Sequence, residues 1–227
     1  MTAPLYRPES RPRRELEVVL DVLGLPGFCA TLPALPRGSS TVVVVPGFMT
    51  GDGITWVLRT TLRLLGHTPH GWGLGRNDGD VWKLVPRLIE RLEIVAQHEP
   101  VVLVGWSLGG YLARQAARDR PDLVRRVLTI ASPVIGGPKY TVAAPYYEQT
   151  LGMDVDLIEQ EVLEREVVPL RVPITALYSP KDAVVCPGAC IDSVTEDILH
   201  IPIDCCHAAF GFRPEVLTLI AKLLADP

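Results

Sequence analysis

From about residue 41 onward the chain alternates short, unbroken apolar runs with longer stretches in which apolar residues recur every three or four positions. The run "TVVVV" at 41–45 is too short and too β-branched for a helix, and "PGFMTGDG" ends it at once with turn residues. Runs of this kind predict strands over 41–45, 67–74, 101–104, 126–131, 172–178 and 198–203. Between them the helical spacing predicts five helices. The first opens at Asp52 or Gly53 and runs to about Leu65, closed by Gly66. The second is capped by Asp80 and reaches about His98, with Leu84, Leu88, Ile89, Leu92 and Val95 on one face and Pro86 near its first turns. The others cover 108–119, a charged stretch from about Asp154 to Arg165, and 214–225. No internal repeat interrupts this order.

Strands without in-and-out alternation, each followed by a helix, describe an α/β protein: a mostly parallel central sheet flanked by helices on both faces. Sheets of this type bind ligands at the carboxyl ends of their strands. The loops that leave each strand are therefore where chemistry is to be sought.

Composition narrows the classes. A chain of 227 residues that is 48% hydrophobic, with mean hydropathy +0.23, is long enough to bury a sizeable core as one domain, 1–227. The net charge of -4 argues against a nucleic-acid or acidic-membrane partner, since either wants a basic face. Arginines cluster only at Arg11, Arg13 and Arg14, inside a proline-rich start that reads over 1–15 as a flexible lead-in without the apolar core of a signal peptide. No apolar run is long enough for stable membrane insertion. Five cysteines, an odd number, fit a reducing, cytoplasmic setting better than a disulfide framework. Oligomeric state is left open.

The stretch "VLVGWSLGGYLAR", 102–114, places Ser107 at a strand-to-helix junction inside G-x-S-x-G. Such an elbow holds its serine in a strained backbone and lifts the hydroxyl above the sheet, while side chains at Gly105 or Gly109 would collide with neighbouring elements. The plainer alternative is a glycine-rich turn with Ser107 as a helix cap. A serine attacks only when a base takes its proton and a carboxylate orients that base. On this topology the partners follow in the order acid, then histidine, on later loops. "SPKDAVV" supplies Asp182 and "DCCHAAFGF" supplies His207. Asp204 would have to fold back within one short turn, and Asp192 lies farther from the strand end, so Asp182 is favoured. His67, His70, His98 and His200 fall on strands or at a helix end and read as structural. Two amides for an oxyanion are expected from Leu108, just after the serine, and from Phe48, where Gly47 lets the loop turn inward.

With "VVVVPGFMTGDG", "GWGLGRNDG", "VGWSLGG", "YSPKDAVV" and "CCHAAFGF" in view, residues of about 40–225 resemble the α/β-hydrolase superfamily. The resemblance is to its small lipase- and esterase-like members with little or no cap. It implies cleavage of carboxylic esters through an acyl-serine without a cofactor, with Ser107, Asp182 and His207 as nucleophile, acid and base. Many relatives carry His-Gly before the oxyanion residue, whereas this chain has Pro46-Gly47. An acyltransferase would use the same residues. A non-catalytic binder of a small apolar ligand would not need all three.

Two further expectations concern the surroundings. Residues 133–169 leave the sheet after one strand and return before the next, so they should lie over Ser107 as a short lid-like insertion, with Leu157, Ile158 and Val162 available to face inward. Met49, Trp106, Tyr146 and Phe210 adjoin the site and would line a pocket for a small uncharged ester. Cys186, Cys190, Cys205 and Cys206 are poorly spaced for zinc and read as buried small residues, so no metal is expected. A disulfide from Cys190 to Cys205 or Cys206 stays open.

Overall fold

The computed structural model describes residues 4–9, 18–195 and 198–225. Six parallel strands form one sheet in the order β2-β1-β3-β4-β5-β6. These are β1 (Thr41–Val45), β2 (Thr68–Gly71), β3 (Val101–Trp106), β4 (Val124–Ile130), β5 (Ile174–Tyr178) and β6 (Ile198–Pro202). Seven α-helices accompany them among the described residues: α1 (Val18–Thr31), α2 (Trp56–Leu64), α3 (Val81–Val95), α4 (Leu108–Asp119), α5 (Ala144–Gln149), α6 (Val155–Glu166) and α7 (Pro214–Ala225).

The unbroken apolar strands are explained by the pleat. Successive residues point to opposite faces, so Val42, Val44, Val102 and Val104 pack with α1, α2 and α7. Val43, Val45, Val101 and Leu103 pack on the other face with α3 and α4. Both faces are covered, and neither can tolerate a polar register. In α3, Leu84, Leu88 and Leu92 form the inward stripe, and the Asp80 side chain accepts a hydrogen bond from the Lys83 amide (3.1 Å) to start the helix. Gly66, at φ 96°, ends the helical segment before β2 in a backbone conformation that side chains disfavour.

Helix boundaries follow the sequence pattern closely, and α4 and α7 match it residue for residue. The edge strand β2 is shorter than 67–74 and stops at Gly71, where a Cβ would sit 2.5 Å from the Asp52 carboxylate. That carboxylate accepts from the Trp72 and Gly73 amides (3.0 and 3.1 Å), taking over where the ladder ends. Helix α1 precedes the region in which the alternating pattern begins. Where the lead-in reads as flexible, residues 4–9 are fastened to the body: Arg7 pairs with Glu148 (2.9 Å), the Cys186 thiol donates to the Pro4 carbonyl (3.5 Å), and Pro8 is buried. Residues 10–15 lie outside the described residues. Among the described residues no helix is long and apolar enough to cross a membrane.

Candidate active site

Ser107 follows β3 directly and opens α4 at φ 54°, ψ -126°. That backbone is held from several sides. The Ser107 amide donates to the Ile130 carbonyl of the adjacent strand (2.7 Å), and the Ser107 carbonyl accepts from Gly110 (2.9 Å). A Cβ on Gly105 would meet the Gly109 carbonyl at 2.4 Å, and one on Gly109 would meet the Val45 carbonyl at 2.3 Å. The glycines of the motif thus permit strand, helix and elbow to approach closely, as the sequence indicates. Gly110 obeys the same constraint, with Ser132 Oγ only 1.9 Å from where its Cβ would lie.

Among the described residues three non-glycines have positive φ: Met49, Ser107 and Ala131. All three sit just beyond the carboxyl ends of β1, β3 and β4. Strain of this kind collects where neighbouring structure over-determines it, and functional sites are its common location.

Asp182 and His207 come together, with His207 Nδ1 2.7 Å from Asp182 Oδ2. Asp182 is buried, and its other oxygen accepts from the amides of Val184 and Val185 (both 2.8 Å), which fixes the carboxylate plane. Of the rival acids, Asp204 is exposed and paired with Lys181 (2.7 Å). Asp192 is buried against Arg114 (2.5 Å).

Ser107 and His207 open onto one cavity of about 310 Å³. Phe48, Trp106, Leu108, Tyr147 and Phe212 share its wall, and among the described residues no Asp, Glu, Lys or Arg lines it. Gly47 backs onto the serine, for its Cβ would lie 3.2 Å from that of Ser107. Among the described residues the Phe48 and Leu108 amides are given to no other backbone acceptor. The Phe48 loop is itself clamped by Asn77, a fully buried residue of the "GRNDG" loop. Its Nδ2 donates to the Pro46 carbonyl (2.9 Å), its carbonyl accepts from Met49 (2.7 Å) and its amide donates to Thr50 (2.8 Å). Nothing in the spacing of the sequence singles out Asn77; only the neighbouring turn glycines mark its loop.

The pocket expectations divide. Trp106 lines the cavity, but Met49, Tyr146 and Phe210 do not. Met49 is spent on turning its loop. Tyr146 packs edge-on against Phe48 (5.6 Å between centroids), and its neighbour Tyr147 faces the cavity instead, because adjacent residues on α5 point about 100° apart. Phe210 belongs to a tight 3₁₀ turn, Ala208–Gly211, and drops into the core beside Val216 and Leu217, leaving Ala208 and Phe212 to form the wall.

Of residues 133–169, Pro133, Pro138, Thr141, Val142, Ala143 and Tyr147 line the cavity. Val162 is buried beneath α6 and Ile158 is half-buried, whereas Leu157 points to solvent at 57% exposure. Cys29, Cys186, Cys190 and Cys205 are free thiols, and no disulfide joins Cys190 to Cys205 or Cys206. Burial pushes the Cys190 and Cys205 thiols upward in pKa, which keeps them protonated.

Residues 22–202 match the alpha/beta hydrolase family, and the chain belongs to it. No curated protein matches the chain. Among solved structures, a monoacylglycerol lipase from Paleococcus ferrophilus shares 17% identity over 85% of this chain and 97% of its own, with a TM-score of 0.61. The naproxen esterase of Bacillus subtilis shares 12% over 85% of each chain, with a TM-score of 0.62. A protein described as a hydrolase of the alpha/beta superfamily, from Xanthomonas campestris pv. campestris, shares 21% over 83% of this chain and 99% of its own, at 0.58. At such identities the likeness is one of fold.

Proposed function

We propose that this protein is a serine hydrolase that cleaves small, uncharged carboxylic esters through an acyl-serine. The observation that carries the reading is the meeting, on one apolar cavity, of a serine held at positive φ and a histidine bonded to a buried carboxylate. With Nδ1 held by Asp182, proton transfer is assigned to Nε2. Ser107 Oγ attacks the ester carbonyl as His207 takes its proton. The oxyanion is met by the amides of Phe48 and Leu108, and the amino end of α4 adds favourable potential. The alcohol leaves with the proton from His207. Water, deprotonated by the same histidine, then releases the acid and restores the serine. A wall without charged side chains supports an uncharged substrate, because a charge buried there would lose its hydration without a partner. A cavity of about 310 Å³ is at the small end for ligand sites, which favours short to medium acyl chains.

The test is covalent labelling with an uncharged alkyl phosphonate ester, read by mass spectrometry, beside turnover of a panel of nitrophenyl esters. Ser107 is expected to carry the label, and His207→Ala to slow labelling strongly. An unmodified Ser107 in folded protein, or equal labelling without His207, would remove this reading.

A further inference from the structure

Behind the first cavity lies a second, of about 140 Å³. It is enclosed by the first half of α3 and by the inner face of α6, with Val81, Val85, Pro86, Ile158 and Val162 among its apolar walls. The two cavities share Leu108, Pro138 and Tyr147. Tyr147 is the partition that matters, because a ring from α5 stands where the two meet.

Its position is held lightly on one side and firmly on the other. The hydroxyl donates to the Gly79 carbonyl at 3.5 Å, a long bond. The ring packs against Phe48, with centroids 5.2 Å apart. Gly79, at φ 90°, makes room for this arrangement, since a Cβ there would lie 2.5 Å from the Tyr147 hydroxyl and 2.7 Å from the Phe48 ring. Phe48 is also the residue whose amide is assigned to the oxyanion. His207, which protonates the leaving alcohol, is instead in ring contact with Trp106 (6.2 Å). The partition therefore belongs to the oxyanion part of the site, and the group directed toward it is the acyl chain.

We propose that the second cavity is a distal acyl subsite and that Tyr147 is the specificity-determining residue that closes it. The proposal rests on the esterase reading above. With Tyr147 in place, the chain must end within the first cavity. With the ring removed, further methylenes pass between α3 and α6. The rim dictates how that chain may end. Asp80, Asp119 and Glu161 stand there against one guanidinium, Arg165; Arg165 is bonded to Asp119 (2.9 Å), and Glu161 accepts from Trp82 Nε1 (3.3 Å). The surplus of carboxylates admits an uncharged end and rejects an anionic one.

The experiment compares kcat/KM for butanoyl and decanoyl nitrophenyl esters in the wild type, Tyr147→Ala, the milder Tyr147→Val, and Tyr147→Ala combined with Ile158→Trp. Each methylene that gains burial favours the longer chain several-fold, so either truncation should raise the decanoyl-to-butanoyl ratio by roughly tenfold or more. Refilling the space with Ile158→Trp should take the gain away, and a carboxylate at the chain end should abolish it. A matching series that lengthens the alcohol at constant acyl group should not respond. An unmoved ratio in folded Tyr147→Val overturns the subsite while leaving the esterase reading intact, and a response confined to the alcohol series overturns the acyl assignment. Absence of ester turnover in the wild type overturns both.

Discussion

Helix α4 carries two buried polar centres, one at its amino end and one along its middle. At the amino end, Ser107 stands above the sheet beside a cavity that also receives His207, itself bonded to Asp182. Along the middle, Arg114 pairs with Glu166 (2.7 Å) and Asp192 (2.5 Å), and Arg118 pairs with the same Glu166 (2.8 Å). All four of these side chains are nearly inaccessible, and none lines the serine's cavity. The first centre is strained and opens onto a cavity. The second is densely paired and closed. Burial and charge alone therefore do not distinguish a candidate reaction site from a fastening; access to a cavity does. The fastening has a clear purpose in the fold. It joins the helix behind the serine to the end of α6 and to the loop between β5 and β6, so Ser107 and the 133–169 segment are tied to one helix.

The largest effect that separates the two centres is on turnover. Ser107→Ala should lower ester turnover by about 10⁴-fold or more, and Asp182→Asn by a comparable factor, because each removes a member of a group that acts as a unit. Thermal unfolding should change little in Ser107→Ala. Relief of the strained φ of 54° does not require the hydroxyl to be lost, so the substitution is neutral for the backbone. If turnover survived Ser107→Ala, the amino end of α4 would be another fastening and the contrast would collapse.

The next effect is on stability. Asp192→Ala leaves the Arg114 guanidinium without one of its two buried carboxylates, and breaking a buried pair typically costs about 3 to 5 kcal/mol. Denaturant unfolding should register that loss, while kcat of the folded fraction stays within a few-fold. A fall in kcat comparable to that of Asp182→Asn would show that the middle of α4 takes part in the reaction.

Acid should find the second centre at a definite pH. Burial raises the Asp192 pKa, but the Arg114 guanidinium and the amides of Val194 and Thr195 outweigh it, and the value falls to about 2. The unfolded carboxyl titrates near 3.8. A depressed carboxylate contributes stability that is complete above the unfolded value and is lost as pH falls toward about 2. His200 accepts from the Asp192 amide at Nε2 (3.1 Å), and burial lowers its pKa below 6.5. Its neutral form is the folded one, so the unfolded chain binds more protons as pH falls below 6.5, and stability declines there before the Asp192 stage is reached. Wild-type stability should thus decline in two stages on acidification. His67 and His70, whose pKa values burial also lowers below 6.5, share the first stage, so His200→Gln should shrink that stage without removing it, and Asp192→Ala should shrink the second, as measured by urea midpoints across pH.

The two centres also differ in how they could be read from the sequence. Ser107, Asp182, His207, Phe48 and Leu108 each sit just beyond a strand, so strand recognition and a fixed chain order suffice to locate them. The same logic locates Trp106. Arg114 and its partners are separated by 52 and 78 residues, and on a helix with charges at 114, 118 and 119 they resemble an ordinary solvated face. Only the two-sided burial of α4, between the sheet and α6, turns that face inward. Asn77 is hidden for a similar reason, since its bonds run to the far end of a different strand. Helix α1 is obscured by Gly24, Pro26 and Gly27, which read as breakers although Pro26 lies within the helix. Tyr146 and Phe210 illustrate a finer limit: chain position brings a residue to the site, but the local turn decides which neighbour faces the cavity.

The smallest effect sharpens the comparison at its margin. Asp204 lies three residues before His207 and is the carboxylate nearest to it in sequence, yet its side chain turns to solvent and pairs with Lys181 Nζ at 2.7 Å. Both partners are more than half exposed, at 61% and 67%, so water screens the pair and side-chain entropy offsets most of its attraction. Asp204→Asn should therefore cost less than about 1 kcal/mol. Turnover should stay within about twofold, because the histidine's orientation depends on Asp182 Oδ2 at 2.7 Å and not on Asp204. Ionic strength supplies an independent check. Whatever small stability the Asp204 pair contributes should disappear by about 1 M salt, where the Debye length is near 3 Å, whereas the loss caused by Asp192→Ala should persist because its partners are shielded from solvent. If Asp204→Asn instead abolished turnover, the acid would have been assigned to the wrong loop, and Asp182 would join Asp192 among the fastenings.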